Sequence, residues 1–157
     1  MNSKASLTEH QLNFYDGTSK SVWVSQQAFP YPAGQLIISR TDLQGVITHC
    51  NDAFVLLSGY EKEELIGAPH YLIRHPDMPQ SAFADLWATV KKGKKWSGYV
   101  KNLRKNGDYY WVYATVVPCY RQGKIVGYAS VRRQASAEKI AHYEALYQQM
   151  RKEEAQA

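Results

Sequence analysis

The stretch Trp96-Ser97-Gly98-Tyr99-Val100-Lys101-Asn102-Leu103-Arg104-Lys105-Asn106-Gly107-Asp108-Tyr109-Tyr110-Trp111-Val112-Tyr113-Ala114-Thr115-Val116-Val117-Pro118 reads as a β-hairpin. Asn106-Gly107 can adopt the positive φ angles of a tight turn, and aromatic and β-branched residues flank it on both sides. Strand side chains alternate, so Tyr110, Val112, Ala114 and Val116 share one face while Tyr109, Trp111, Tyr113 and Thr115 share the other. The first face is narrow and aliphatic, the second broad and aromatic. On the facing strand the same alternation groups Val100 with Gly98 and Asn102. If that set lies opposite the aliphatic one, Asn102 is a lone amide in an apolar interior, which costs about 1–3 kcal/mol unless something meets it. A backbone group, a water or the polar edge of a ligand would each serve.

Upstream, Gln80-Ser81 opens a helix that carries Phe83, Leu86, Trp87 and Val90 at spacings of three and four and stops at Gly93. That stripe is expected to face the sheet. Before it, Ala68 to Pro79 holds three prolines, which forbid a continuous helix and leave a shaped loop. Glu61 to Gly67 is a short helix, and Asn51-Asp52 precedes another, Ala53 to Ser58, closed by Gly59. Leu36-Ile37-Ile38, the turn Asp42-Leu43-Gln44-Gly45 and Val46 to Cys50 form a second hairpin. Downstream, Arg121-Gln122-Gly123-Lys124 turns the chain into a last strand, Ile125 to Arg132. Ser136 then precedes Glu138 to Met150, with apolar residues at helical spacing and no stop signal; a connector helix and a frayed terminal helix fit about equally.

Residues 1–33 are mixed. Leu7, Leu12, Phe14 and Tyr15 form a weakly amphipathic stretch, Asp16-Gly17-Thr18-Ser19 and Val22-Trp23-Val24 follow, and Pro30 and Pro32 argue against regular structure. Trp23, Phe29 and Tyr31 are costly to leave in water, so this segment is expected to dock, with the aromatic outer face of the central hairpin as the candidate surface. By alternation Trp111 belongs to that outer interface, against the N-terminal segment or a second protomer.

With 157 residues the chain is long enough for one core and short for two. A formal charge of +5 would permit an anionic partner, but the basic residues are scattered. Their one cluster, Lys91-Lys92-Gly93-Lys94-Lys95, suits a solvated helix end. No nucleic-acid-binding module stands behind them. Cys50 and Cys119 lack metal-ligand spacing and are expected as thiols in a reducing compartment. No charged leader followed by an apolar run occurs, nor any apolar stretch of about 18 residues. A cytoplasmic location is expected. The histidines and carboxylates form no nucleophile and base pair, which argues against an enzyme.

Sequential hairpins with helices between them indicate an antiparallel α+β domain with the helices on one sheet face. Asp42-Leu43-Gln44-Gly45-Val46-Ile47, Asn51-Asp52-Ala53-Phe54, Ser58-Gly59-Tyr60, Lys105-Asn106-Gly107 and Tyr110-Trp111, in this order, resemble a PAS domain over residues 34–133. The runs His49 to Phe54, Arg74-His75-Pro76-Asp77-Met78-Pro79, Ala82 to Trp87, Trp96-Ser97-Gly98 and Lys101 to Asp108 further resemble the sensor domain of the aerotaxis (energy-taxis) receptors. The resemblance implies a five-stranded antiparallel sheet, an N-terminal cap over residues 1–33 and a C-terminal connector helix over residues 134–157. It also implies a noncovalent FAD whose redox state is reported to a chemotaxis signalling module. Asn102 would then hydrogen-bond the isoalloxazine edge, Trp87 would wall the pocket, and Arg74 and His75 would lie on the loop that holds the cofactor. Val112, Ala114 and Asn51 complete the candidate set, although capping explains Asn51 better. The PAS relatives with blue-light chemistry carry a reactive cysteine where this chain has His70, so no photoadduct is expected. Two alternatives stay open: a haem gas sensor with His70 or His75 as axial ligand, and a ligand-free dimerisation module. A homodimer through the N-terminal segment or the outer sheet face is expected. The family also implies a signalling region of the same receptor, and an anchor to the inner face of the cell membrane.

Overall fold

A computed structural model of the chain describes residues 7–14 and 17–156. Tyr15 and Asp16 lie outside the described residues. The order is β1 (Thr8–Asn13), β2 (Ser19–Val24), β3 (Ile37–Thr41), β4 (Ile47–Cys50), α1 (Asp52–Ser58), α2 (Lys62–Leu65), a single 3-10 turn over His70–Ile73, α3 (Gln80–Lys91), β5 (Trp96–Leu103), β6 (Tyr109–Arg121), β7 (Lys124–Gln134) and α4 (Ala137–Gln156). Strands β3 to β7 form an antiparallel five-stranded sheet in the order β4-β3-β7-β6-β5. This is the expected α+β architecture.

The central hairpin has the register its alternation demands. Gly98 faces Ala114, Val100 faces Val112 and Asn102 faces Tyr110. Val112 is fully buried, and Tyr110, Ala114 and Val116 are buried beside it. The turn differs from the two-residue form. Gly107 alone takes a positive φ, 97°, while Arg104 N donates to Asp108 O at 2.8 Å and Gly107 N to Arg104 O at 3.0 Å. This is a three-residue loop that ends in a glycine bulge. Asn106 instead accepts from Asp108 N through its side chain at 3.0 Å. The two-residue turn with both central φ positive occurs one hairpin later, at Gln122-Gly123.

The helices α1 to α3 pack on the aliphatic face, as the stripe on α3 requires. The aromatic face meets a different partner from the one the sequence suggested. Helix α4 folds back across it: Tyr147 stacks on Trp111 with ring centroids 6.0 Å apart, and Tyr143 stacks on Tyr99 at 4.5 Å. Tyr147 also donates its hydroxyl to Tyr99 O at 2.5 Å. The far end of α4 reaches α3, where Glu154 accepts from the backbone N–H groups of Gln80 and Ser81 at 3.1 and 2.9 Å. An acidic side chain on two free N-terminal donors both satisfies them and suits the helix dipole.

The first part of the N-terminal segment is regular, while residues 25–36 around Pro30 and Pro32 hold no strand or helix, as expected. β1 and β2 form a hairpin whose period-two positions Leu12, Val22 and Val24 are buried with Phe14 and Leu103 in a second small core. It docks at the turn end of the central hairpin and not on its aromatic face. Ser25 N donates to Gly107 O at 2.8 Å, and Phe29 N to Tyr109 O at 2.7 Å. Trp23 stays 52% exposed, so its bulk did not drive docking. Tyr147→Ala is expected to remove about 3 kcal/mol of stability. A lower urea midpoint and faster amide exchange along α4 would show it.

Candidate functional site

Between α3, the loop over residues 68–79 and the aliphatic face of the sheet lies a hollow of about 910 Å³, its open mouth included. Asn102 reaches it because β5 presents alternate residues inward, and its backbone bridges to Arg74 of the loop. Its side chain is 4% exposed, and Nδ2 has no hydrogen-bond partner. The hydroxyl of the facing Tyr110 is also buried and outside hydrogen-bond geometry, yet it lies close enough for the Asn102 side chain to act on it against the burial that pushes its pKa up to about 12. A buried polar atom in this condition calls for a partner, and the side of Asn102 that lines the hollow is open to one from a water or a ligand.

Phe83, Leu86 and Trp87 of α3 form the helix-side wall, with Trp87 edge-on to Tyr128 of β7 at 5.4 Å. Ala114 lies on the sheet side, where its small side chain leaves room. Arg74 stands on the rim, its guanidinium 4.4 Å from the Phe83 ring centre and its Nε unpartnered. Burial lowers its pKa, opposed by Glu154. The structure thus brings together Asn102, Trp87, Arg74 and Ala114 of the candidate set.

The other three stand elsewhere. Val112 shares the aliphatic face but is sealed in the core, away from the hollow. Asn51 caps α1: its Oδ1 accepts from Ile38 N at 3.1 Å and Phe54 N at 3.2 Å, and its Nδ2 donates to Leu36 O at 2.8 Å. All of its polarity is used in tying β3 to α1. His75 lies beyond the hollow, past the β5 edge, where its Nδ1 accepts from Asp77 N at 3.0 Å and its ring meets Tyr109 edge-on. The loop turns outward at this point because Asp77 pairs with Lys101 Nζ at 2.8 Å on the aromatic side of β5.

His70, Ser39 and Arg132 also line the hollow, and sequence reasoning did not group them. The signal was the period of two in Tyr128, Ser130 and Arg132 on β7. His70 Nε2 lies 3.1 Å from Arg132 Nη1, so this nitrogen is engaged and not free for a haem iron. His75, which does not line the hollow, is no better placed as an axial ligand. No cysteine lines the hollow.

Burial, helped by Arg132, pulls the His70 pKa from 6.5 down to about 3. Burial and Lys101 lower that of His75. Both rings are neutral in the fold, whereas in the unfolded chain they take up a proton below pH 6.5. Their contribution is therefore complete above pH 6.5 and is lost as pH falls toward about 3. The urea midpoint is expected to decline over this window, with a shallower slope in His70→Gln.

Residues 47–132 match the family described as the PAS fold. The chain is 56% identical over 129 residues to the aerotaxis receptor of Escherichia coli strain K12, an overlap of 82% of this chain and 26% of that receptor. It thus spans about a quarter of the receptor's length. The crystal structure of a PAS domain from Colwellia psychrerythraea matches with a TM-score of 0.55 at 30% identity, covering 64% of this chain and 86% of that one. The LOV domain of the blue-light photoreceptor Aureochrome1 in its light state shares the fold, with a TM-score of 0.63 at 23% identity over 73% of this chain and 89% of that one. With its five-stranded sheet, its helical wall and a family match that covers most of the residues lining the hollow, this chain belongs to the PAS family and is similar over most of its length to an aerotaxis receptor.

Proposed function

We propose that this PAS domain binds FAD noncovalently in the hollow and reports the redox state of the flavin to a chemotaxis signalling region of the same receptor. The observation that carries the reading is the buried carboxamide of Asn102, whose Nδ2 is without a partner in a hollow walled by Trp87. Its occurrence in a chain 56% identical to an aerotaxis receptor supports the flavin reading. On this reading Asn102 holds the polar edge of the isoalloxazine, Trp87 and Ala114 bracket the ring, and Arg74 takes a phosphate, for which a guanidinium is suited. Bound flavin supplies reversible electron uptake coupled to protonation of a ring nitrogen.

The chain's part in signalling starts at Asn102. A carboxamide can present either its NH2 or its C=O by turning about one bond, so it can follow a ring edge that changes from acceptor to donor. The backbone of Asn102 is bridged to Arg74, and the same loop carries Asp77. Asp77 binds Lys101 with its carboxylate, and its carbonyl accepts from Arg151 of α4. A shift at the hollow therefore has a bonded route to α4. In this scheme residues 1–33 act as the cap, residues 34–133 as the sensor and residues 134–157 as the connector. No helix among the described residues is long and apolar enough to cross a membrane. We place this domain in the cytoplasm, with the receptor anchored elsewhere to the inner face of the membrane.

The purified domain is expected to be yellow and to release FAD on denaturation, identified by chromatography. Asn102→Ala is expected to weaken FAD binding at least about tenfold, equivalent to about 1.4 kcal/mol. A colourless domain that takes up no flavin, or one with a Soret band, would overturn the reading. Amide exchange in α4 is expected to differ between the oxidised and reduced domain; identical exchange in the two states would remove α4 from the signalling route.

A further inference from the structure

Arg132 is 2% exposed on the inward face of β7. Its Nη2 donates to Ser39 Oγ at 2.5 Å and its Nη1 to His70 Nε2 at 3.1 Å. The guanidinium carbon lies 4.5 Å from the centre of the Phe54 ring, and Nε has no partner. A guanidinium only donates, so His70 accepts through Nε2 and is the neutral ring. The other ionisable groups that act on Arg132 are Tyr110, Tyr31 and Cys50, and burial raises the pKa of each. All three are neutral near pH 7. Among the described residues no carboxylate is within ion-pair reach of Arg132. Burial pulls the Arg132 pKa down to about 10, which still leaves it charged at neutral pH.

The contrast with Lys101 is informative. That cation is also buried, yet it has Asp77 at 2.8 Å. A buried charge without a counter-charge is costly even after relaxation, and the face of Phe54 offsets only part of that cost. Arg132 lines the hollow itself, so a ligand there can supply the missing negative charge.

We propose that Arg132, held in position by Ser39 and His70, is the counter-charge for the bound heterocycle, and that it makes the hollow bind the anionic reduced ring more tightly than the neutral oxidised one. This rests on the flavin reading above. Two electrons and one proton added to the neutral ring leave it with one negative charge; dithionite is the electron donor in the test. Arg132 is then a specificity residue for the charge of the ligand, distinct from Asn102, which meets its hydrogen-bonding edge.

The test is anaerobic titration of the domain with oxidised and with dithionite-reduced FAD, for the native chain, Arg132→Gln and Arg132→Lys. Arg132→Gln is expected to lose at least about tenfold more affinity for reduced than for oxidised FAD, with Arg132→Lys between it and the native chain. Equal losses in the two states would make the arginine a structural tie and overturn the proposal. Should Arg132→Gln fail to fold, the native domain decides alone. Its reduced ring is expected to keep the absorption spectrum of the anion at pH values where free reduced flavin has taken up its second proton, and protonation at the pH of free flavin overturns the proposal. A native domain that binds FAD in neither state overturns the proposed function and this inference together. One that binds both states equally well with and without Arg132 overturns this inference alone.

Discussion

The register of β5 against β6 is the constraint on which the rest of the molecule depends. With Asn102 opposite Tyr110 and Val100 opposite Val112, every second side chain of both strands faces the helices. A slip by one residue would exchange the two faces, with Lys101 and Trp111 in the hollow and Asn102 on the outer surface. The hairpin is long enough to make that exchange costly. It would expose the buried Val112, Ala114 and Val116 and bury the polar Thr115 and Ser97 in their place. The bulge at Gly107 helps to fix the register, because the Arg104 to Asp108 closure admits one alignment of the strands.

The loop over residues 68–79 carries that order from the inside of the domain to the outside. Its first half lines the hollow with His70, Tyr71, Ile73 and Arg74, and its second half wraps the β5 edge with His75, Asp77 and Met78. The edge strand is thereby covered: Lys101 N donates to Met78 Sδ at 3.3 Å, and Arg74 bridges Asn102. Edge strands left bare invite unwanted pairing. Here the cover also links two environments.

Much of this was legible in the sequence, for reasons that are local. The hairpin, the cap at Asn51 with Gly59 behind it, and the stripe on α3 each need only short-range rules, and each is in the structure where those rules put it. Asn102 was legible because a polar residue on an apolar face is an anomaly that alternation exposes. What was hidden depends on tertiary partners. The β1–β2 hairpin has period-two burial, but short strands flanked by turn residues and prolines read as irregular until their mate is known. Arg132 stands near a strand end, where a charged residue reads as solvated; only the closing of the loop and of β3 around it makes it interior. His75 was expected on the cofactor loop from the resemblance carried by Arg74 to Pro79, but the Asp77–Lys101 pair turns this end of the loop outward and His75 braces it by accepting from Asp77 N.

The bond between Glu154 and the first turn of α3 joins the C-terminal helix to the wall that carries Trp87. Thermodynamic coupling of this kind acts equally in both directions. On the proposed reading, a force on the C-terminal helix from outside alters the affinity of the hollow for its ligand by the same factor with which the ligand alters the response to that force. On that reading the sensitivity of the hollow is set in part by whatever holds the far end of α4.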